Sequence, residues 1–226
     1  MTEFVNSILN DDADGDAGER RWPVSLVIVS VAGLQLLLPA DYSLGNHFLG
    51  PAVELALVTI LTILNPHYIT AHTRQLRSLA LSLVAVITVV NVYALGRLIL
   101  ELVNGRWQHG AGQLLLTGGA LWLINVIVMG LWYWEHDLGG PAARVLEMKQ
   151  HPSFLFAQMT VPQYAPADWQ PRFLDYLYLS FTNAAAFSPT DVLPLARWAK
   201  LLMMMQSIIS LSTLAMVIAR AINTLP

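Results

Sequence analysis

The chain has no cysteine. That excludes disulfide staples, thiolate nucleophiles and zinc–thiolate sites. It is also poor in charge, with 12% Asp, Glu, Lys and Arg against roughly 25% in soluble domains. A soluble chain of 226 residues with so few charges would lack the means to cover its surface. An excess of basic charge is missing too. The net charge of −3 leaves no electrostatic footprint for nucleic acid. No HExxH frame, phosphate-cradling loop or nucleophile beside a base is found. No catalytic residue, metal or cofactor is therefore expected.

What the chain does have is apolar sequence, 55% of its residues, gathered into long runs. These extend from Trp22 to Ala40, Phe48 to Leu64, Leu76 to Val103, Gln113 to Trp134 and Ala199 to Ala221. Each can cross about 30 Å of hydrocarbon at about 1.5 Å per helical residue. Backbone groups in lipid must satisfy one another, so such runs are helices. Pro51 suits a first helical turn, and Asn65-Pro66 stops the second run. Trp22, Trp107, Trp132, Tyr133 and Trp134 stand at run ends, where amphipathic rings meet the headgroups. A shorter apolar piece, Phe173 to Phe187, predicts a re-entrant, interfacial or bundle-packed helix.

The expected fold is an all-α polytopic bundle of five spanning helices plus this short one. Residues 1–21 read as an acidic, disordered tail. Residues 22–134 hold four spans, 135–172 a polar loop with five prolines, and 173–226 the short helix and last span. Asp12, Asp14 and Asp16 suggest a calcium loop, but the bidentate Glu at the required distance is missing.

Five spans put the tail, the 65–77 loop and the 135–198 segment on one side. That side carries nine basic residues against three on the other, counting Arg97. The positive-inside rule then places the N-terminus in the cytoplasm.

Few polar groups fall inside the runs. Glu54 and Arg97 sit at similar expected depth, which allows an ion pair. The simpler reading lets Arg97 snorkel beside Glu101 at i+4. Asn91 and Asn125 lie near the middles of their runs, where interhelical amide hydrogen bonds are expected. Glu135, His136 and Asp137 follow the aromatic belt and read as solvated interfacial caps.

Residues 180–194 read Ser-Phe-Thr-Asn-Ala-Ala-Ala-Phe-Ser-Pro-Thr-Asp-Val-Leu-Pro. This resembles the potassium-channel pore segment SFTTLTTVGYGDxxP, without a gap. Ser180, Phe181 and Thr182 match its opening, Asn183 follows, and Asp191 and Pro194 match its Asp and Pro. The TVGYG positions fall on Ala186, Phe187, Ser188, Pro189 and Thr190. The resemblance implies a pore helix, a filter and an inner helix, assembled as a homotetramer. Both filter glycines are replaced, and Pro189 fixes φ and removes a donor. That argues against potassium selectivity through backbone carbonyls. Potassium channels also carry this loop outside, whereas the basic residues here place it inside. A helix–turn–helix, with Asp191 capping the next helix, is the plain alternative.

The stretches Trp132-Tyr133-Trp134-Glu135-His136-Asp137-Leu138-Gly139-Gly140-Pro141 and Phe181 to Asp191 are similar to an uncharacterised family of bacterial multi-pass membrane proteins. That likeness implies an inner-membrane location and no activity. Three functions follow as expectations. The first is a channel-like pore protein. The second is a non-conducting scaffold or accessory subunit that meets a partner through residues 135–172. The third is a membrane enzyme or transporter built on Glu54, Arg97 or the Glu135–Asp137 cluster. The lipid bilayer is the one partner common to all three.

Overall fold

The computed structural model of the chain describes residues 19–64, 74–107, 110–145, 151–166, 169–185 and 192–224. The fold is all-α, as expected, with one small β-ribbon. Its main helices are α1 (Trp22–Leu37), α2 (Leu49–Leu64), α3 (Arg74–Val103) and α4 (Ala111–His136). Short α5 (Pro141–Val145), strand β1 (Phe154–Phe156) and short α6 (Ala157–Thr160) follow. Helix α7 (Phe173–Ala184), strand β2 (Val192–Pro194) and helix α8 (Arg197–Thr224) complete the order. Strands β1 and β2 pair antiparallel, with Phe154 opposite Pro194 and Phe156 opposite Val192.

Local chemistry sets the helix ends. The first apolar run reaches Ala40, but α1 stops at Leu37 because Pro39 forces Leu38 into extended backbone, φ −72° and ψ 150°. Helix α4 ends in a tight turn, where Leu138, Gly139 and Gly140 all take positive φ. A Cβ on Gly140 would meet the Glu135 carbonyl oxygen at 3.0 Å. A side chain there would strain the turn, which folds α5 back under the end of α4.

Helix α4 is the centre of the bundle. One face takes α7 and another takes α8, and both approaches use glycine. A Cβ on Gly130 would lie 3.2 Å from Leu177 Cα, and one on Gly118 would overlap the Val217 side chain. Small residues let helix backbones come this close. A larger core cluster fills one end of the molecule around Phe154, Tyr176, Tyr133 and Leu131. A smaller one fills the other end around Tyr42, Leu98, Leu114 and Leu121.

Among the described residues, three helical stretches are long and apolar enough to cross a membrane, Gln75–Val103, Ala111–Arg144 and Arg197–Asn223. Helices α1 and α2 are equally apolar but have 16 residues each. That is about 24 Å, short of a full hydrocarbon core of about 30 Å. The outer surface is apolar around the bundle. Ile63 is 73% exposed, Leu116 70% and Ile208 63%, a coat that suits lipid and not water.

Candidate functional site: a half-depth helix and the buried charges at its start

Helix α7 begins beside the end of α4, where the Phe173 and Trp134 rings meet at 5.7 Å. It then runs back along α4. Ser180 Oγ donates to the Val126 carbonyl at 2.6 Å, and the Phe181 ring meets Trp122 at 5.8 Å. Its 12 residues cover about 18 Å, so Ala184 lies near the middle of α4. Ser210, midway along α8, donates to the Ala184 carbonyl there at 2.6 Å. The described chain resumes at Val192, back at the starting end. There β2 pairs with β1, and Phe154 packs on Tyr176 and Trp198. Helix α7 therefore enters the bundle and stops halfway, and the chain reappears at the end from which it came.

The seat of α7 is a hydrogen-bond network centred on Gln206, which is fully buried. Its Nε2 donates to the Ser180 carbonyl at 3.0 Å and to Ser180 Oγ at 2.7 Å. Its Oε1 accepts from Tyr133 Oη at 2.6 Å and Asn183 Nδ2 at 2.9 Å. Asn183 Nδ2 also donates to the Met203 carbonyl at 3.0 Å. Trp122 Nε1 donates to Ser210 Oγ at 2.5 Å. A polar network this complete favours one packing geometry.

Of the pore-like residues, Asn183 thus holds α7 in place. Thr182 turns its hydroxyl back onto the Tyr178 and Leu179 carbonyls at 3.1 and 3.0 Å. Ala186, Phe187, Ser188, Pro189, Thr190 and Asp191 lie outside the described residues.

Charges collect where α7 starts. Glu19 accepts the Phe173 N–H at 2.5 Å and Trp134 Nε1–H at 2.7 Å, and it pairs with Arg144 at 3.5 Å. An anion at the first turn of α7 suits the unpaired amides there. Burial pushes the Glu19 carboxyl above its usual range, and Arg144 opposes that shift. Arg144 Nη1 donates to the Trp134 and Asp137 carbonyls at 2.8 and 3.1 Å. Its guanidinium also lies over the Tyr176 ring at 5.2 Å. The Asp137 carboxylate accepts from Ser153 N–H and Tyr176 Oη, both at 2.6 Å. Asp175 accepts the Arg172 N–H at 2.8 Å, closing the cap of α7.

These contacts correct the solvated reading of Glu135 to Asp137. Glu135 and Asp137 are buried, because the glycine turn folds α5 and Arg144 over them. His136 is clamped between the Trp132 and Trp198 rings at 5.0 and 5.6 Å. The described end of the acidic tail, Glu19 to Arg21, is likewise packed and not free. Segment 135–172, expected as a polar loop, holds the buried residues Arg144, Phe154 and Phe156.

The other polar residues of the apolar runs stay apart from this cluster. Glu54 accepts Gln35 Nε2–H at 2.8 Å, a buried contact between α1 and α2. Arg97 pairs with Glu101 at 3.4 Å, the i+4 reading, and Tyr42 donates to Glu101 as well. A Glu54–Arg97 pair is not formed. Asn91 Oδ1 and Asn125 Nδ2 are buried without a hydrogen-bond partner among the described residues. Trp132 Nε1 donates to Thr88 Oγ1 at 2.9 Å, linking α3 and α4. Among the described residues no group of His, Asp and Glu could hold a metal ion.

Gln35, Arg144 and Gln206 were not signalled by the sequence as functional positions. A polar residue inside or just after an apolar run, at positions 35 and 206, was the signal available for two of them. Comparison with protein-family models, curated proteins and solved structures returned no match.

Proposed function

We propose that the chain is a pore-type integral membrane protein of the bacterial inner membrane, with α1, α2, α3, α4 and α8 as its five spans. One observation carries the reading. Helix α7 stops at half depth between two long apolar helices, and the chain reappears at the starting end. A pore module has that order of outer helix, half helix and inner helix. Non-helical backbone at membrane depth is tolerated where it is buried in protein or lines a water-filled path.

Self-assembly is supported by the exposed face of α7, where Leu174, Tyr178 and Phe181 stand uncovered in the single chain. A homotetramer would place four such helices around one axis. The lost filter glycines argue for a pathway without potassium selectivity. Arg20, Arg21, Arg77, Arg144, Arg172 and Arg197 belong to the end at which α7 starts, so the positive-inside rule puts that end and the N-terminus in the cytoplasm. The half helix would then enter from the cytoplasmic face. A scaffold that binds partners through residues 135–172 draws less support, since much of that segment is packed into the fold.

The test is paired. Purified protein in liposomes should pass monovalent ions, and its mass in mild detergent should be about four times 24.9 kDa. A strictly monomeric protein that passes no ion would refute the proposal.

A further inference from the structure

A recess opens at the end opposite the start of α7, between the α1–α2 loop, the start of α2 and α3. It holds about 150 Å³, room for several waters at about 10–15 Å³ apiece. Ser43, Asn46 and His47 line it from the loop, and Gln35 lines it from α1. Gln35 is 5% exposed, and its Oε1 has no hydrogen-bond partner among the described residues. Gly50 leaves space there, since a Cβ on it would meet that oxygen at 3.5 Å. The other atom of the amide, Nε2, donates to Glu54 Oε1 at 2.8 Å. Glu54 is 0% exposed, and its Oε2 is also without a partner among the described residues. Gln35 therefore stands between the recess and a buried acid.

No cation among the described residues is paired with Glu54. Helix α1 has no ionisable residue between Trp22 and Leu37. The half of α3 nearest the recess carries Tyr93, Arg97 and Glu101. Arg97 pairs with Glu101, and Tyr42 donates to Glu101 as well. The α1–α2 loop carries Asp41 and His47. The His47 ring nitrogens meet Ser43 Oγ at 2.9 Å and the Leu36 carbonyl at 3.3 Å. An isolated carboxylate in an apolar bundle is costly. A proton removes its charge and turns one orphaned acceptor into a donor. The partnerless oxygens of Gln35 and Glu54 are each next to a bonded atom, so a protonated Glu54 and the Gln35 amide present complementary edges. A metal cation would ask for several oxygens, whereas Gln35 turns an N–H toward the acid. We infer that Glu54 is a proton-binding site, held by Gln35 and exchanging through the recess with water at this end. The inference needs the membrane and not the pore.

A hydrophobic carbodiimide, dicyclohexylcarbodiimide, reads the protonated acid. The O–H adds across one C=N bond, oxygen to carbon and proton to nitrogen, and acyl transfer to nitrogen leaves a stable N-acylurea. Peptide mass spectrometry of the full-length protein in membrane vesicles should find that adduct on Glu54. Its yield should fall about tenfold per pH unit above the midpoint, and Glu54→Gln should lack it. Tyr164→Cys, at an exposed position between α6 and α7, reports with an impermeant maleimide which compartment faces the α7 end. The Glu54 yield should follow the pH of the other compartment. An unlabelled Glu54 in the folded wild type would overturn the inference. So would a yield indifferent to pH, or one governed by the compartment on the α7 side. A yield lowered by sodium ions at constant pH would overturn it too, since an alkali cation would then be the ligand.

Discussion

Replacing Gln206 by Leu tests whether one side chain seats the half-depth helix. Leu has similar volume and no polar atoms, so the change removes four hydrogen bonds with little change in packing. Two partners keep other contacts. Ser180 Oγ still donates to Val126, and Asn183 still donates to Met203. Tyr133, which is fully buried, loses its acceptor. An orphaned buried hydroxyl costs about 1–3 kcal/mol, and hydrogen bonds between membrane helices average about 0.6 kcal/mol each. The expected loss is about 2–3 kcal/mol. Replacing both partners with apolar groups removes the orphan, so Tyr133→Phe combined with Gln206→Leu should recover about 1 kcal/mol. Reversible unfolding in mixed micelles of rising denaturing-detergent content, followed by near-ultraviolet circular dichroism, measures all three variants. A loss below about 0.5 kcal/mol for Gln206→Leu, or a double variant as weak as the sum of the singles, would refute the seating role.

Four further outcomes are expected. Gly140→Ala should cost about 2–3 kcal/mol in the same assay, since φ is +97° and the added methyl meets a carbonyl oxygen at 3.0 Å. Glu54→Gln should be tolerated within about 1 kcal/mol, because the amide can serve Gln35 Oε1, which lacks a partner among the described residues; Gln35→Leu, which strips Glu54 of its donor, should cost more. Tyr164 is 85% exposed, and the chain has no native cysteine, so Tyr164→Cys gives a single labelling site. It should resist an impermeant maleimide in intact cells and react in inverted vesicles. For pH, burial raises the folded pKa of Glu19 above the ordinary 4.5, so the fold shifts that group toward the protonated acid. Stability should then fall as pH rises through 4.5 toward the folded value and level off beyond it, and Glu19→Gln should flatten that slope.

The helices were legible because lipid imposes a simple code. Long uncharged runs, prolines at their ends and aromatic belts fixed α3, α4 and α8 to within a few residues. The seat of α7 was not legible, since Gln206 and Ser180 are ordinary polar residues in sequence and acquire meaning only when two distant helices meet. The burial of Asp137 was hidden for a different reason. It depends on Leu138 and two glycines turning the chain through positive φ, which brings Arg144 back beneath the helix end. The Glu54–Arg97 pair failed on depth: Gly50 packs at Val90, which sets Glu54 well along α3 from Arg97, and each residue found a nearer partner.

Glu19 has a consequence for biogenesis. Its bond to the Phe173 N–H joins residues 154 positions apart. A ribosome adding about 5–20 residues per second needs roughly 8–30 s to bridge that interval. During that time Glu19 has neither Trp134 nor Arg144 for most of the wait, and the first turn of α7 does not yet exist. The contact can therefore close only late in synthesis. It works as a latch that joins residue 19 to the last third of the chain, after the intervening helices have been made.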